Sequence, residues 1–95
     1  MAVLDAERLP ALLTVRSRRP GDRFRPLGLE GEKKLQDYFV DARVPRRERD
    51  RVPIVEAHGE IVWVVGHRVD SRYAAGDGAR RLLVLRAHRL PAAQA

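Results

Sequence analysis

Residues 61–65, Ile-Val-Trp-Val-Val, hold no polar position in a chain of 95 residues of which 34% are charged. A short apolar run rich in β-branched and aromatic side chains reads as a strand covered on both faces. It predicts the central strand of a sheet, with Trp63 in the core rather than on the surface as a stacking platform. Residues 53–57 precede it across His58-Gly59-Glu60, a short turn that makes the two segments a β-hairpin.

The rest of the chain must cover that strand, and at this length it does so as one domain with a modest core. Residues 13–18, Leu-Thr-Val-Arg-Ser-Arg, alternate as a half-buried strand does, and Pro20-Gly21 ends it in a turn. Residues 22–29 read as a loop pinned to the core by Phe24 and Leu27. Leu35, Tyr38 or Phe39, and Ala42 make one apolar stripe, which predicts a helix over about 32–42. Lys33 and Lys34 then fall in its first turn, where the helix dipole disfavours cations. Val44-Pro45 breaks this helix, and Pro45 opens a second short one over about 45–51. After Gly66, residues 67–74 form a loop or ragged strand, and 75–78 a turn. Residues 82–87 are the last strand, and 90–95 read as frayed. The fold class is α+β: a small, mainly antiparallel sheet with one main helix and a second short one.

Charge decides the class of partner. The formal charge is +6, and residues 13–51 carry twelve Arg or Lys against seven Asp or Glu. Such a face attracts polyanions, nucleic acid first among them. Seventeen of the nineteen basic residues are arginine, a bias that a GC-rich genome also produces, so part of the charge serves solubility. Arg16, Arg18, Arg19, Arg23 and Arg25 form one cluster around the Pro20-Gly21 turn. Guanidinium forks on a rigid edge suit phosphate oxygens. The plain alternative is a solvated strand with local pairs such as Arg19 or Arg23 with Asp22. Lys33 and Lys34 follow the turn Gly28-Leu29-Glu30-Gly31. The ending of a Walker phosphate loop is missing there. Arg46 and Arg49, with Arg43, align on the second helix, while Arg47 and Arg51 complete that group. Intrahelical pairing is expected for some of these.

Enzymatic parts are missing from this reading. Asp22, Asp37, Asp41 and Asp50 each have a basic residue nearby in sequence and read as salt-bridge partners. His58, His67 and His88 share no metal-ligand spacing. Thr14, Ser17 and Ser71 have no neighbouring histidine to activate them. The chain has no cysteine, which excludes disulfides and makes the cytoplasm the default compartment. No apolar run is long enough for a membrane span, and residues 1–13, with Asp5, Glu7 and Arg8, do not read as a signal peptide.

Four ungapped blocks stand in a fixed order: Val15-Arg16-x-Arg18-Arg19-Pro20-Gly21-Asp22-Arg23-Phe24-x-Pro26-Leu27-Gly28, Lys33-Lys34-Leu35-x-Asp37-x-Phe39, Val44-Pro45-x-x-x-Arg49-Asp50-x-x-Pro53, and Ile61-Val62-Trp63-Val64-x-Gly66-x-Arg68-x-Asp70-x-Arg72-Tyr73. Over residues 13–73 the chain resembles the C-terminal domain of tRNA(Ile)-lysidine synthetases. The resemblance implies an α+β fold related to a domain of the phenylalanyl-tRNA synthetase β subunit. It also implies a parent ATP-dependent ligase that adenylates the wobble cytidine of an isoleucine tRNA and attaches lysine to it. That chemistry belongs to an N-terminal domain with a Ser-Gly-Gly-x-Asp-Ser loop, which this sequence lacks.

The expectation is therefore a non-catalytic tRNA-binding accessory domain spanning 1–95, inactive by itself, either excised or the end of a longer product. It would hold no cofactor, ATP being bound by the parent's catalytic domain. It would contact acceptor-stem phosphates with Arg16, Arg18, Arg19, Arg23, Arg25, Lys33, Lys34, Arg46 and Arg47. The alternative is a structural domain whose basic face docks on its own catalytic domain. Whether the domain is a monomer or a homodimer stays open.

Overall fold

In the computed structural model, which describes residues 1–90, residues 61–64 of the apolar run lie in the strand Glu60–Val64, and Val65 begins the turn after it. In chain order the strands are β1 Ala2–Asp5, β2 Thr14–Arg16, β3 Arg23–Phe24, β4 Lys33–Lys34, β5 Ile54–Ala57, β6 Glu60–Val64 and β7 Leu82–Leu85. The helices α1 Leu35–Asp41 and α2 Arg46–Arg49 lie between β4 and β5. The α+β class expected from the sequence is the observed one. Three antiparallel sheets carry it: β2-β5-β6, the ribbon β1-β7, and the two-residue pair β3-β4.

The β5–β6 hairpin is the partition between two cores. On one side Val62 and Trp63 pack with Ala2, Leu4, Val55, Ala57 and Tyr73. On the other, Ile61 and Val64 pack with Phe24, Leu35, Tyr38, Phe39 and Ile54. A regular strand could not place Val62 and Trp63 on one side, because neighbours alternate. The register shifts at Val55/Glu56, so Trp63 faces Val55 and Ile61 faces Glu56, leaving Val62 as the bulged residue. One extra residue thus lets a four-residue apolar run serve both cores. The hairpin turn itself is His58-Gly59, with φ of 55° and 76°, the two positive values that a type I′ turn requires.

Three sequence expectations are corrected here. First, β5 rather than β6 is the middle strand of its sheet. The free edge of β6 is covered instead by the irregular segment 68–70, through Val64 N–H to Arg68 O (3.1 Å) and Asp70 N–H to Val62 O (2.7 Å). Second, the main helix begins at Leu35, and Lys33 and Lys34 are not in its first turn. They pair as β4 with Phe24 and Arg23, because the loop before them folds back on itself. Third, Leu27 is 46% exposed, whereas Phe24 and Pro26 are the fully buried side chains that anchor that loop.

The last strand pairs with the N-terminus, Ala2 opposite Leu85 through Asp5 opposite Leu82, an arrangement that local patterning did not indicate. The expected strand 13–18 is shorter, and Thr14 and Val15 are exposed on it. Trp63 is in the core, at 3% exposure, as its apolar surroundings predict. The frayed segment expected at 90–95 falls, apart from the exposed Leu90, outside the described residues. No helix among the described residues is long and apolar enough to cross a membrane.

Candidate nucleic-acid interface

The Pro20-Gly21 turn is held from beneath by a buried ion cluster. Gly21 takes a φ of 83°, and Asp22 N–H closes the turn on Arg19 O at 3.2 Å. Arg16 forks onto Asp22 with Nη1–Oδ2 and Nη2–Oδ1 contacts of 3.0 and 2.9 Å, and its Nε donates to Glu56 Oε2 at 2.8 Å. These three side chains are 10%, 11% and 16% exposed. Hydrogen bonding to Asp22 raises the Arg16 pKa against the opposing effect of burial. Burial pushes the Asp22 carboxyl up, but Arg16 and the Arg19 N–H outweigh it and hold it below the usual carboxylate range. Asp22 therefore stays ionised and ties β2, β5 and the turn into one rigid corner. Its own carbonyl accepts from Leu35 N–H at 2.9 Å, which joins that corner to the start of α1.

Above this corner lies a groove of about 460 Å³. One wall is the turn with Arg18, Arg19 and Arg23. The other is α2 with Arg46 and Arg49, and Lys34 and Gln36 stand between them. Arg46 and Arg49 sit three apart and present together, as the helical spacing predicts. Arg49 is steadied by donating from Nε to Val44 O at 3.0 Å. Two acids enter the lining, Asp22 and Asp50. Asp50 accepts from Arg18 Nε at 2.7 Å.

The loop beyond the groove is held by a second buried cluster. The Asp70 carboxylate is fully buried and accepts from Arg25 N–H (2.8 Å), Arg72 N–H (2.8 Å), Arg72 Nε (3.0 Å) and Arg72 Nη2 (2.9 Å). Arg25 is clamped from its other side too, its carbonyl accepting from Ser71 N–H at 2.8 Å. Arg72 also meets Glu60, to which the Tyr73 hydroxyl donates. Burial raises the Asp70 pKa, yet the Arg72 side chain and the two N–H groups outweigh it and bring it below the usual range. Tyr73 is pushed up to about 12 by burial and by its bond to Glu60. Arg68 Nη1 donates to Leu27 O at 2.7 Å. It stands 2.9 Å from where a Cβ on Gly28 would lie, and Gly28 has a φ of 86°, so only glycine suits that position. The block Arg68-x-Asp70-x-Arg72-Tyr73 is thus a latch for residues 25–28. The sequence pattern alone contains these residues but does not reveal this role.

The nine expected contact residues do not all reach the groove. Arg18, Arg19, Arg23, Lys34 and Arg46 line it, and Arg49, not among the nine, joins them. Arg16 does not line the groove, and its guanidinium is engaged by Asp22, Glu56 and Ser17 O. Lys33 pairs with Asp41 at the edge. Arg25 and Arg47 are exposed but do not line the groove. Asp22, Asp41 and Asp50 are salt-bridge partners as expected, though their partners are Arg16, Lys33 and Arg18 rather than nearer residues. Arg43, at a φ of 59°, ends α1 by a six-to-one bond from Val44 N–H to Phe39 O. With Arg51 it faces a second groove, on the other side of α2.

His67 lies edge-on to Tyr38 and Phe39, and burial lowers its pKa. Among the described residues no three His, Cys, Asp or Glu side chains are grouped to hold a metal ion.

The chain is thus a small α+β domain that carries a rigidly mounted cationic groove. Comparison with known proteins makes this specific. A family model described as the TilS substrate C-terminal domain matches residues 13–86, and the chain belongs to that family. It is 48% identical to the tRNA(Ile)-lysidine synthase of Symbiobacterium thermophilum, over 93% of this chain and 18% of that protein. It is 42% identical to the synthase of Caldanaerobacter subterraneus subsp. tengcongensis, over 85% of this chain and 17% of that one. A solved structure described as the TilS C-terminal domain superposes with a TM-score of 0.73 at 43% identity, covering 85% of this chain and 63% of the other. The chain spans less than a fifth of the length of these two synthases.

Proposed function

We propose that this domain binds tRNA through the groove between the Pro20-Gly21 turn and α2, gripping the phosphate backbone of the acceptor stem. The observation that carries the reading is the convergence of Arg18, Arg19, Arg23, Lys34, Arg46 and Arg49 on one groove whose turn-side wall is fixed by the buried Arg16–Asp22–Glu56 cluster. A preformed array of guanidinium forks loses little on binding and gives position along a backbone rather than base identity. The domain supplies no catalytic group. In this reading the longer protein to which it belongs is the ATP-dependent ligase that attaches lysine to the wobble cytidine of an isoleucine tRNA, with ATP handled elsewhere in that protein. Such a domain works in the cytoplasm, where tRNA is.

Filter binding of an isoleucine tRNA transcript at graded salt tests this. Each phosphate neutralised contributes about −0.9 to the slope of log K against log salt, so three to five contacts give roughly −3 to −4.5. A flat salt response defeats the reading, and leaves docking of the basic face on the parent's own catalytic domain as the better one.

A further inference from the structure

Three exposed carboxylates sit on cations of the basic face: Asp41 on Lys33, Glu32 on Arg23, and Asp50 on Arg18. Asp50 alone of the three stands inside the groove with its arginine. Folding does not account for it. Its side chain is 76% exposed, and a pair so open to water adds little to stability. It also closes the C-terminal end of α2, where a helix dipole disfavours an anion. The backbone bond made there, from its N–H to Glu48 O, is available to any residue but proline. Asp50 thus cancels one of the groove's cations without a return to the frame.

We propose that Asp50 is an intramolecular stand-in for a phosphate. This rests on reading the groove as an RNA-backbone site. A carboxylate offers Arg18 the same anionic oxygens that a phosphodiester does. In the free domain Asp50 occupies that guanidinium and keeps Arg18 directed along the groove. An entering phosphate displaces the carboxylate, and an RNA that makes the remaining contacts recovers the cost. Polyanions that make few contacts do not, so Asp50 sets a threshold against stray binding.

The test is Asp50→Asn in the whole chain, with Asp50→Ser as a second neutral variant, titrated with an isoleucine tRNA transcript. Both variants should bind about three to ten times more tightly than the parent. The salt slope should hardly change, because Arg18 meets the same phosphate in parent and variants, and the thermal midpoint should stay where it is. In an Arg18→Ala background most of the gain should vanish. Equal or weaker binding by both variants, while the parent chain binds, overturns the proposal and leaves the RNA reading intact. So does a gain that persists undiminished without Arg18, since it would then be general charge. If neither parent nor variants bind RNA, the RNA reading falls and takes this one with it.

Discussion

The chain uses arginine–carboxylate pairs in two ways, and burial separates them. Around Arg16 all three charges lie below the surface, and around Asp70 a fully buried carboxylate holds Arg72; in both, each charge has several partners. Around the groove the pairs are single contacts at the solvent edge: Arg18 with Asp50, Arg23 with Glu32, Lys33 with Asp41. The first kind cannot be exchanged, because removing one member strands a buried charge. The second kind exchanges readily, because water already competes for it. A basic sequence hence need not mean a basic surface everywhere. The same residue type holds the frame at position 16 and faces the groove at position 18.

Asp70→Ala attacks the buried kind and should have the largest effect. It leaves Arg72 without its main partner and frees the Arg25 N–H. Breaking a buried pair in this way costs about 3–5 kcal/mol, against a total of about 5–15 kcal/mol for a small domain. Thermal or urea unfolding measures it. A loss under about 1 kcal/mol would put the Asp70 cluster with the exposed pairs and erase the distinction.

Titration separates the two kinds next. Asp22 and Asp70 have folded pKa values below those of free carboxyls, so the unfolded chain takes up protons first as the pH falls. Their contribution is complete above the unfolded value of about 4 and is lost progressively below it. Tyr73 works at the other end. Its pKa rises from 10.0 to about 12, so its contribution is complete below pH 10 and is lost as the pH climbs from 10 to 12. Urea midpoints across pH should therefore fall on both flanks. In Tyr73→Phe the alkaline flank should flatten, and an unchanged flank would mean that the tyrosine does not hold its proton in the fold.

What could be read from the sequence follows the range of the interactions. The β5–β6 hairpin, the two helices and the core position of Trp63 come from neighbours within a few residues, and they were legible. The pairing of β1 with β7 joins residues some eighty positions apart and leaves no local signal. Strand alternation places Arg16 and Arg18 on one face, and only Glu56, forty residues away, and the fold of the turn reveal that Arg16 is consumed. The start of α1 was misread for a related reason. Lys33 and Lys34 suit a helix by pattern, but the loop carrying Arg23 and Phe24 captures them as a strand. The groove is legible as a set of cations and not as a shape: pattern alone aligns Arg49 with Arg46 without placing it in the groove, and groups Arg25 and Arg47 with cations whose groove they do not line.

The smallest expected effect on stability belongs to the groove itself. Arg18→Ala combined with Arg23→Ala removes two exposed single contacts, worth about 0.2–1 kcal/mol each at most. The midpoint of unfolding should hardly move, while tRNA binding weakens and its salt slope becomes shallower by about 1.8, for two phosphates no longer neutralised. Arg16→Ala is the matched control, a third arginine of the same cluster that should destabilise the fold because Asp22 and Glu56 lose their common partner. If the double variant melts early and Arg16→Ala does not, the assignment of frame and groove must be reversed. If all three substitutions weaken binding equally with no change in stability, the buried corner is part of the contact surface, and the groove extends beneath the turn rather than resting on it.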